Sequence, residues 1–340
     1  MNETSLILPH FTIDASILEW LEQKRTTCSG SKKTITAYRE TIQYFRAFLS
    51  QGSQGRLDLL SNPVDIARIA PIWASTRLPA RLRKDGEPNK RHQGEVANST
   101  YNQRLAILSS WYTFVQHVYH LEIPNPIKEV AKRTVQAYAE VLPIEPEVIE
   151  TGLESINRSR LQGLRDYAIL AVALYTGRRA SELVGLHGED VQILGKGKNA
   201  RVLLRFHCKG GKVEYNRLNE ETSIVFLEYF HAQFGKHPHI ISDSPIWVSY
   251  SRGNRGQAIS VQTLSIICRQ TFGTSKNHAL RHTFADVETR LGAPITDLSA
   301  ALGHTDIKIT QRYIKGLEKT AENPLGNQLV ARFGIKRKSK

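Results

Sequence analysis

Cysteine is scarce in this 340-residue chain, with three residues at positions 28, 208 and 268. They are odd in number, far apart and without metal-ligand spacing, which argues against a disulfide framework and fits a reducing cytosol. Long apolar runs are also missing. No stretch approaches the ~18 residues of a membrane-spanning helix, and the N-terminus has no basic segment leading into an apolar core, so no secretory leader is expected. Acidic residues are in deficit: 32 Asp+Glu face 46 Lys+Arg, a formal net charge of +14. Such an excess suits a polyanionic partner, nucleic acid or an anionic membrane surface. No glycine-rich segment shows the full spacing of a nucleotide-binding fingerprint followed by a helix. Internal repeats and low-complexity segments are absent as well. What remains is a chain with 40% hydrophobic residues, too apolar to be disordered and long enough for two domains with separate cores.

The N-terminal third reads as a helical bundle. Ile13, Ile17, Leu18 and Leu21 make one short amphipathic face. Ile35, Tyr38, Ile42, Phe45 and Leu49 form a longer stripe. A further helix, capped by Asn98 or Ser99, carries Tyr101, Leu105, Leu108, Tyr112 and Val115 on one side, aromatics better suited to a core than to stacking on nucleobases. Pro79 to His92 is a polar loop with Arg81, Arg83, Lys84, Lys90 and Arg91. It is either a solvated loop or a phosphate-contacting arm, and the total charge favours the arm. Pro124-Asn125-Pro126 ends the bundle, because a residue before proline is pushed out of helical geometry. The expected division is a helical domain over 1–130, a linker over 131–141, a second domain over 142–322 and a tail over 323–340.

Leu161 to Tyr175 is apolar nearly all round and reads as the buried central helix of the second domain. Thr176-Gly177-Arg178-Arg179-Ala180-Ser181-Glu182-Leu183 follows. A glycine between two helices puts Arg179 at a corner facing a cleft, with Glu182 placed to orient either its guanidinium or a nearby histidine, or to form an ordinary surface pair with it. Strands are expected at Val191–Leu194, Arg201–His207 and Val213–Leu218, separated by turns rich in Gly and Lys. Lys209-Gly210-Gly211-Lys212 is a hairpin tip from which a lysine can reach a phosphate. The tip holding Lys196 and Lys198 competes with it, and the choice here is Lys212, since two strands precede it. Val261 to Phe272 is a helix. Arg252 and Arg255 in the SRGNRGQ loop before it are either candidates for contact with a polyanion or part of an ordinary exposed loop.

Asn277 to Lys315 reads as three short helical pieces. The first runs from His278 to Leu291 and stops at Gly292-Ala293-Pro294. The second opens at Thr296 or Asp297 and closes at Gly303, and the third opens at Thr305 or Asp306. His278 and Arg281 leave one helix on the same face. His304 follows a helix end, and Tyr313, nine residues on, can swing back toward that face. Cations, imidazoles and a phenol converging on one point suit a phosphodiester. A phenol with its usual pKa near ~10 attacks weakly and needs cations or a base beside it. His278 and His282 have an i, i+4 spacing that can bind zinc, but Arg281 between them would repel the metal, so none is expected.

These motifs together, T-G-x-R-x-x-E-L at 176–183, H-x-L-R-H at 278–282, L-G-H at 302–304 and then Tyr313, resemble the tyrosine recombinase, or phage integrase, family. The likeness spans about residues 142 to 316. It implies a mainly α fold with a small β-sheet: an N-terminal helical-bundle core-binding domain and an α+β catalytic domain, arranged as a clamp around the duplex. It further implies that Arg179 and Arg281 grip the scissile phosphate, with His304 holding charge beside them. Tyr313 is then the nucleophile, Lys212 the acid on the leaving 5′-oxygen, His278 the proton carrier, and Glu182 the supporting acid. Phosphoryl transfer of this kind needs positioning and charge neutralisation, which guanidinium forks supply.

The expected activity is site-specific strand exchange through a covalent 3′-phosphotyrosyl link, with no cofactor and no metal. Its partners are double-stranded DNA and further copies of the chain in a synaptic tetramer, in the cytoplasm at the nucleoid. A type IB topoisomerase and a non-catalytic DNA-binding protein are the alternatives. No arm-site-binding module is expected ahead of the helical domain, which leans away from the largest phage integrases. Leu329, Val330 and Phe333 form an apolar stripe expected to dock on a neighbouring protomer.

Overall fold

Apolar side chains repeating at helical spacing build the first unit. A computed structural model describes residues 11–27, 32–77, 95–135, 142–208, 210–235, 243–303, 307, 310 and 311, the Lys198 side chain excepted. They fall into two compact units that divide between Val135 and Gln136. In the first, α1 (Ile13–Thr27), α2 (Lys32–Ser53), α3 (Pro63–Ser75) and α4 (Asn98–Val118) enclose one core. Ile42, Phe45 and Leu49 of α2 are buried, as are Tyr101, Leu105, Leu108, Tyr112 and Val115 of α4. The aromatics read as core are core: the Tyr112 hydroxyl donates to the Leu59 carbonyl at 2.6 Å inside it. In α1, Ile17 and Leu21 are buried as expected, Leu18 is 64% exposed, and Trp20, stacked on Tyr38, enters the core beside them.

The sequence reading passed over α3. Asn62 caps it by accepting from the Val64 N–H at 2.9 Å, with Pro63 in the first turn where a missing N–H costs nothing. Its two prolines mask it in a propensity reading, but Ile66, Ala70, Trp73 and Ala74 bury one face. At α4 the expected cap fails: Ala97 is the N-cap, and Asn98 instead donates to the Thr134 carbonyl at 2.9 Å. Asn102 brackets Arg133, accepting from its N–H at 2.9 Å and donating to its carbonyl at 2.7 Å. Residues 131–135, read as linker, are thus bound along α4. The helix ends at Val118, before the Pro-Asn-Pro segment, which folds back onto it through Asn125 donating to the Ser109 carbonyl at 3.0 Å.

In the second unit α5 (Pro146–Glu154) precedes α6 (Leu161–Thr176) and the short α7 (Ala180–Val184). The sheet follows: β1 (Val191–Leu194), β2 (Arg201–His207) and β3 (Val213–Arg217), antiparallel in that order. Then come α8 (Glu220–Phe234), α9 (Val261–Phe272), α10 (His278–Arg290) and α11 (Ile295–Ala301). β2 is central and alternates, with Val202, Leu204 and Phe206 buried. The middle of α6 is enclosed as expected, with Ala168, Ile169, Leu170, Val172 and Ala173 fully buried. Leu161 and Tyr175 reach the surface, so it is not buried all round. α11 opens one residue early, at Ile295 after Pro294. The fold is mainly α with one small sheet, and among the described residues no helix is long and apolar enough to cross a membrane.

Candidate active site

Where α6 ends, Gly177 takes the left-handed conformation (φ 59°) and its N–H returns to the Ala173 carbonyl at 3.0 Å. Glycine is required there twice. A side chain would strain the backbone, and a Cβ would stand 2.5 Å from Cδ1 of Phe284. The reversal leaves two arginines pointing apart. Arg178 is 4% exposed and runs inward. Arg179, half-buried, is the N-cap of α7, an unfavourable place for a cation at a helix start. Glu182 compensates. Its carboxylate accepts from the Arg179 backbone N–H at 3.0 Å and from Nη1 at 2.8 Å. One buried acid therefore fixes both ends of this side chain. The arrangement is worth little in stability for a partly exposed pair, but it decides where the guanidinium points.

α10 brings the second arginine to the same corner. Arg281 is 4% exposed and donates through Nη1 to the Gly177 carbonyl at 2.9 Å and through Nη2 to the Leu302 carbonyl at 2.6 Å. Residues 177, 281 and 302, far apart in sequence, are joined by one guanidinium. Leu302 and Leu298 pack with Ala285 and Phe284 in a small core beneath it. Gly303, with φ 62°, then ends α11 and turns the chain into the L-G-H motif.

His278 begins α10 with an edge open to solvent. Desolvation of its ring, then the charges of Arg281 and Arg179, hold its pKa below the ordinary value of 6.5. A neutral imidazole beside two guanidiniums can accept a proton. His282 lies one turn further in, and burial, His278 and Arg281 push it down to about 4.

The candidate lysine of the β2–β3 hairpin is Lys212. It is exposed at the hairpin's end, and its carbonyl accepts from the Cys208 N–H at 2.7 Å. That end abuts the arginine corner: Arg178 Nη1 lies 3.7 Å from Cys208 Sγ. Burial and the Glu182 charge also raise the Cys208 thiol pKa. The β1–β2 turn, with Lys196 and Lys198, joins the opposite end of β2, seven residues away or about 20 Å at strand rise.

Arg179, Glu182, His278 and Arg281 thus assemble, with the Lys212 hairpin end beside them. His304 and Tyr313 lie outside the described residues, as do Arg81, Arg83, Lys84, Lys90 and Arg91 of the basic loop and Leu329, Val330 and Phe333 of the tail. Arg252 and Arg255 are exposed in a turn far in sequence from the corner. Among the described residues one trio, Glu189, Asp190 and His207, could offer ligands to a metal. Arg205 already engages it, 2.8 Å from Asp190 and 3.1 Å from Glu189. One residue not singled out in the sequence, Arg178, also packs at this corner. It stands at the unassigned position of T-G-x-R, and the doubled arginine is its signal in the sequence.

A profile of the phage integrase family matches residues 144–319, just over half of the chain. The chain belongs to the phage integrase family. It is a tyrosine-type recombinase, an enzyme of DNA strand breakage and rejoining. The tyrosine recombinase XerC of Lactobacillus delbrueckii subsp. bulgaricus is 24% identical over 309 residues, covering 89% of this chain and 93% of that one. In fold the chain resembles XerH site-specific recombinase bound to a palindromic difH substrate, with a TM-score of 0.59 at 15% identity over 94% of this chain and 83% of the other. It also resembles a lambda integrase tetramer bound to a Holliday junction, with a TM-score of 0.58 at 14% identity over 90% and 78%.

Proposed function

We propose that this chain exchanges strands between two DNA duplexes at a specific site through a 3′-phosphotyrosyl link to Tyr313, without metal or ATP. The observation that carries the reading is the Arg281 bridge, which ties the corner beside Arg179, α10 and the turn at Leu302 together. Arg179 and Arg281 neutralise the non-bridging oxygens while Tyr313 bonds to phosphorus. His304 adds charge there. His278, held neutral, takes the phenol proton. The bond to the 5′-oxygen breaks, and Lys212 protonates that oxygen as it leaves. A 5′-hydroxyl of another strand reverses the sequence. Residues 1–130 bind the core of the DNA site, 142–322 carry the chemistry, and four copies assemble on DNA in the cytoplasm at the nucleoid. Arg81, Arg83, Lys84, Lys90, Arg91, Arg252 and Arg255 serve phosphate contact, and Leu329, Val330 and Phe333 dock on a neighbouring protomer.

Footprinting on the DNA flanking the gene supplies the duplex for the test. A nicked suicide version of it should accumulate a covalent protein–DNA adduct in the presence of chelator, and Tyr313→Phe should give none. An adduct that persists in Tyr313→Phe would refute the nucleophile, and one that requires a divalent ion would refute the mechanism.

A further inference from the structure

We propose that Arg178 is a positioning residue: its buried guanidinium locks the hairpin end bearing Lys212 onto the corner bearing Arg179. The inference rests on the reading of Lys212 as the proton donor to the 5′-oxygen. Arg178 Nε donates to Asn216 Oδ1 at 2.7 Å, and Nη2 lies 3.9 Å from Glu214 Oε2, both on β3. Nη1 meets Cys208 Sγ at the end of β2, and the guanidinium carbon lies 5.4 Å over the Phe206 ring. A side chain one residue from Arg179 therefore grips both strands of the hairpin next to its tip. Nη1 also lies close to Gly303, the residue before His304, where an added Cβ would stand 3.7 Å from it.

Strand alternation makes the grip relevant to Lys212. Glu214 and Asn216 face inward and Val213 and Tyr215 outward, and carrying the alternation one residue back puts Lys212 on the face of Glu214 and Asn216. The Cys208–Lys212 backbone bond extends the ladder to that residue. Burying a cation here is costly, because Glu214 sits at the limit of ion pairing and is 37% exposed. A leucine would fill such a space at lower cost. What it could not do is hold two strands at once with a rigid planar fork.

The test is single-turnover cleavage of two suicide duplexes, one with the ordinary scissile 5′-oxygen and one with a bridging sulfur in its place. Sulfur leaves as a thiolate and needs no proton, so it bypasses Lys212. With oxygen, Arg178→Met should slow cleavage about 10- to 100-fold, less than the roughly 10²–10⁴-fold of losing a general acid outright, because the lysine is displaced rather than removed. With sulfur its rate should return to within a few-fold of wild type, as Lys212→Ala should. Asn216→Ala, which keeps the arginine and removes only its acceptor, should show the same pattern more weakly and carries the test if Arg178→Met does not fold. Sulfur rescue of Lys212→Ala but not of Arg178→Met or Asn216→Ala would overturn the inference alone. Unchanged oxygen cleavage in both variants would do the same. Failure of sulfur to rescue Lys212→Ala would overturn the lysine's role and the inference with it.

Discussion

The two arginines proposed to hold the phosphate differ in how they are built in, so their variants should fail differently. Arg281 is buried and satisfies two backbone carbonyls. Arg281→Ala should lose cleavage by about 10²–10³-fold, as when a preorganised donor is removed. It should also lose about 1–3 kcal/mol of stability from the carbonyls left behind. Arg179→Ala should lose comparable activity with a smaller fall in melting temperature than Arg281→Ala, since the Arg179 side chain is partly exposed and Glu182, though buried, keeps the backbone N–H of residue 179. Cleavage assays alongside thermal melts of both variants check the contrast. Equal destabilisation would show that the corner is held differently. His282 adds a pH dependence. Folded, it titrates near 4 rather than 6.5, so between these values the unfolded chain binds a proton that the folded chain does not. Stability from this group is present above about pH 6.5 and drains away as pH falls toward 4, up to about 3 kcal/mol. The melting temperature should fall between pH 7 and 5, and His282→Gln should flatten the decline. An unchanged slope would assign the acid sensitivity to other groups.

Among the elements, the junction of α6 and α7 is the most exacting. Gly177→Ala meets both an unfavourable φ and the Phe284 ring, and should cost about 1–3 kcal/mol as well as displacing Arg179. A melt within experimental error of wild type would mean that α10 yields to the methyl group. Much of this was legible beforehand, since β1 and β2 and the helix over 261–272 fall where alternation and periodicity put them. The helix α3 was not, because its burial is set by Trp73 packing against Phe45 of another helix rather than by its own composition. The cap expected at Asn98 failed for a related reason. That side chain finds a better partner in Thr134, 36 residues away.

On the scale of the whole molecule, each unit has its own core, with Trp20, Trp73 and Trp111 in the first and Trp247 in the second. Residues 1–135 expressed alone should therefore give a helical spectrum and a cooperative melt. A random-coil spectrum would show that the helical core needs the second unit. With a net charge of +14 and phosphate contacts dominating, DNA affinity should fall about 10³-fold or more between 50 and 200 mM salt. A flat response would remove the basic residues from the interface.

By itself the sequence determined the family, the two-part organisation and which side chains are proposed to react. Those depend on residue types at fixed spacing along the chain, and such spacing is local. Only the tertiary structure decided that the other arginine of the pair at 178–179, Arg178, turns inward onto the hairpin. It also decided which glycine-rich tip meets the corner, because strand direction puts the two tips at opposite ends of β2. Likewise, the carbonyls of Gly177 and Leu302 meet on one guanidinium across more than a hundred residues. Contacts of that range are made by packing, and no periodicity in the chain encodes them.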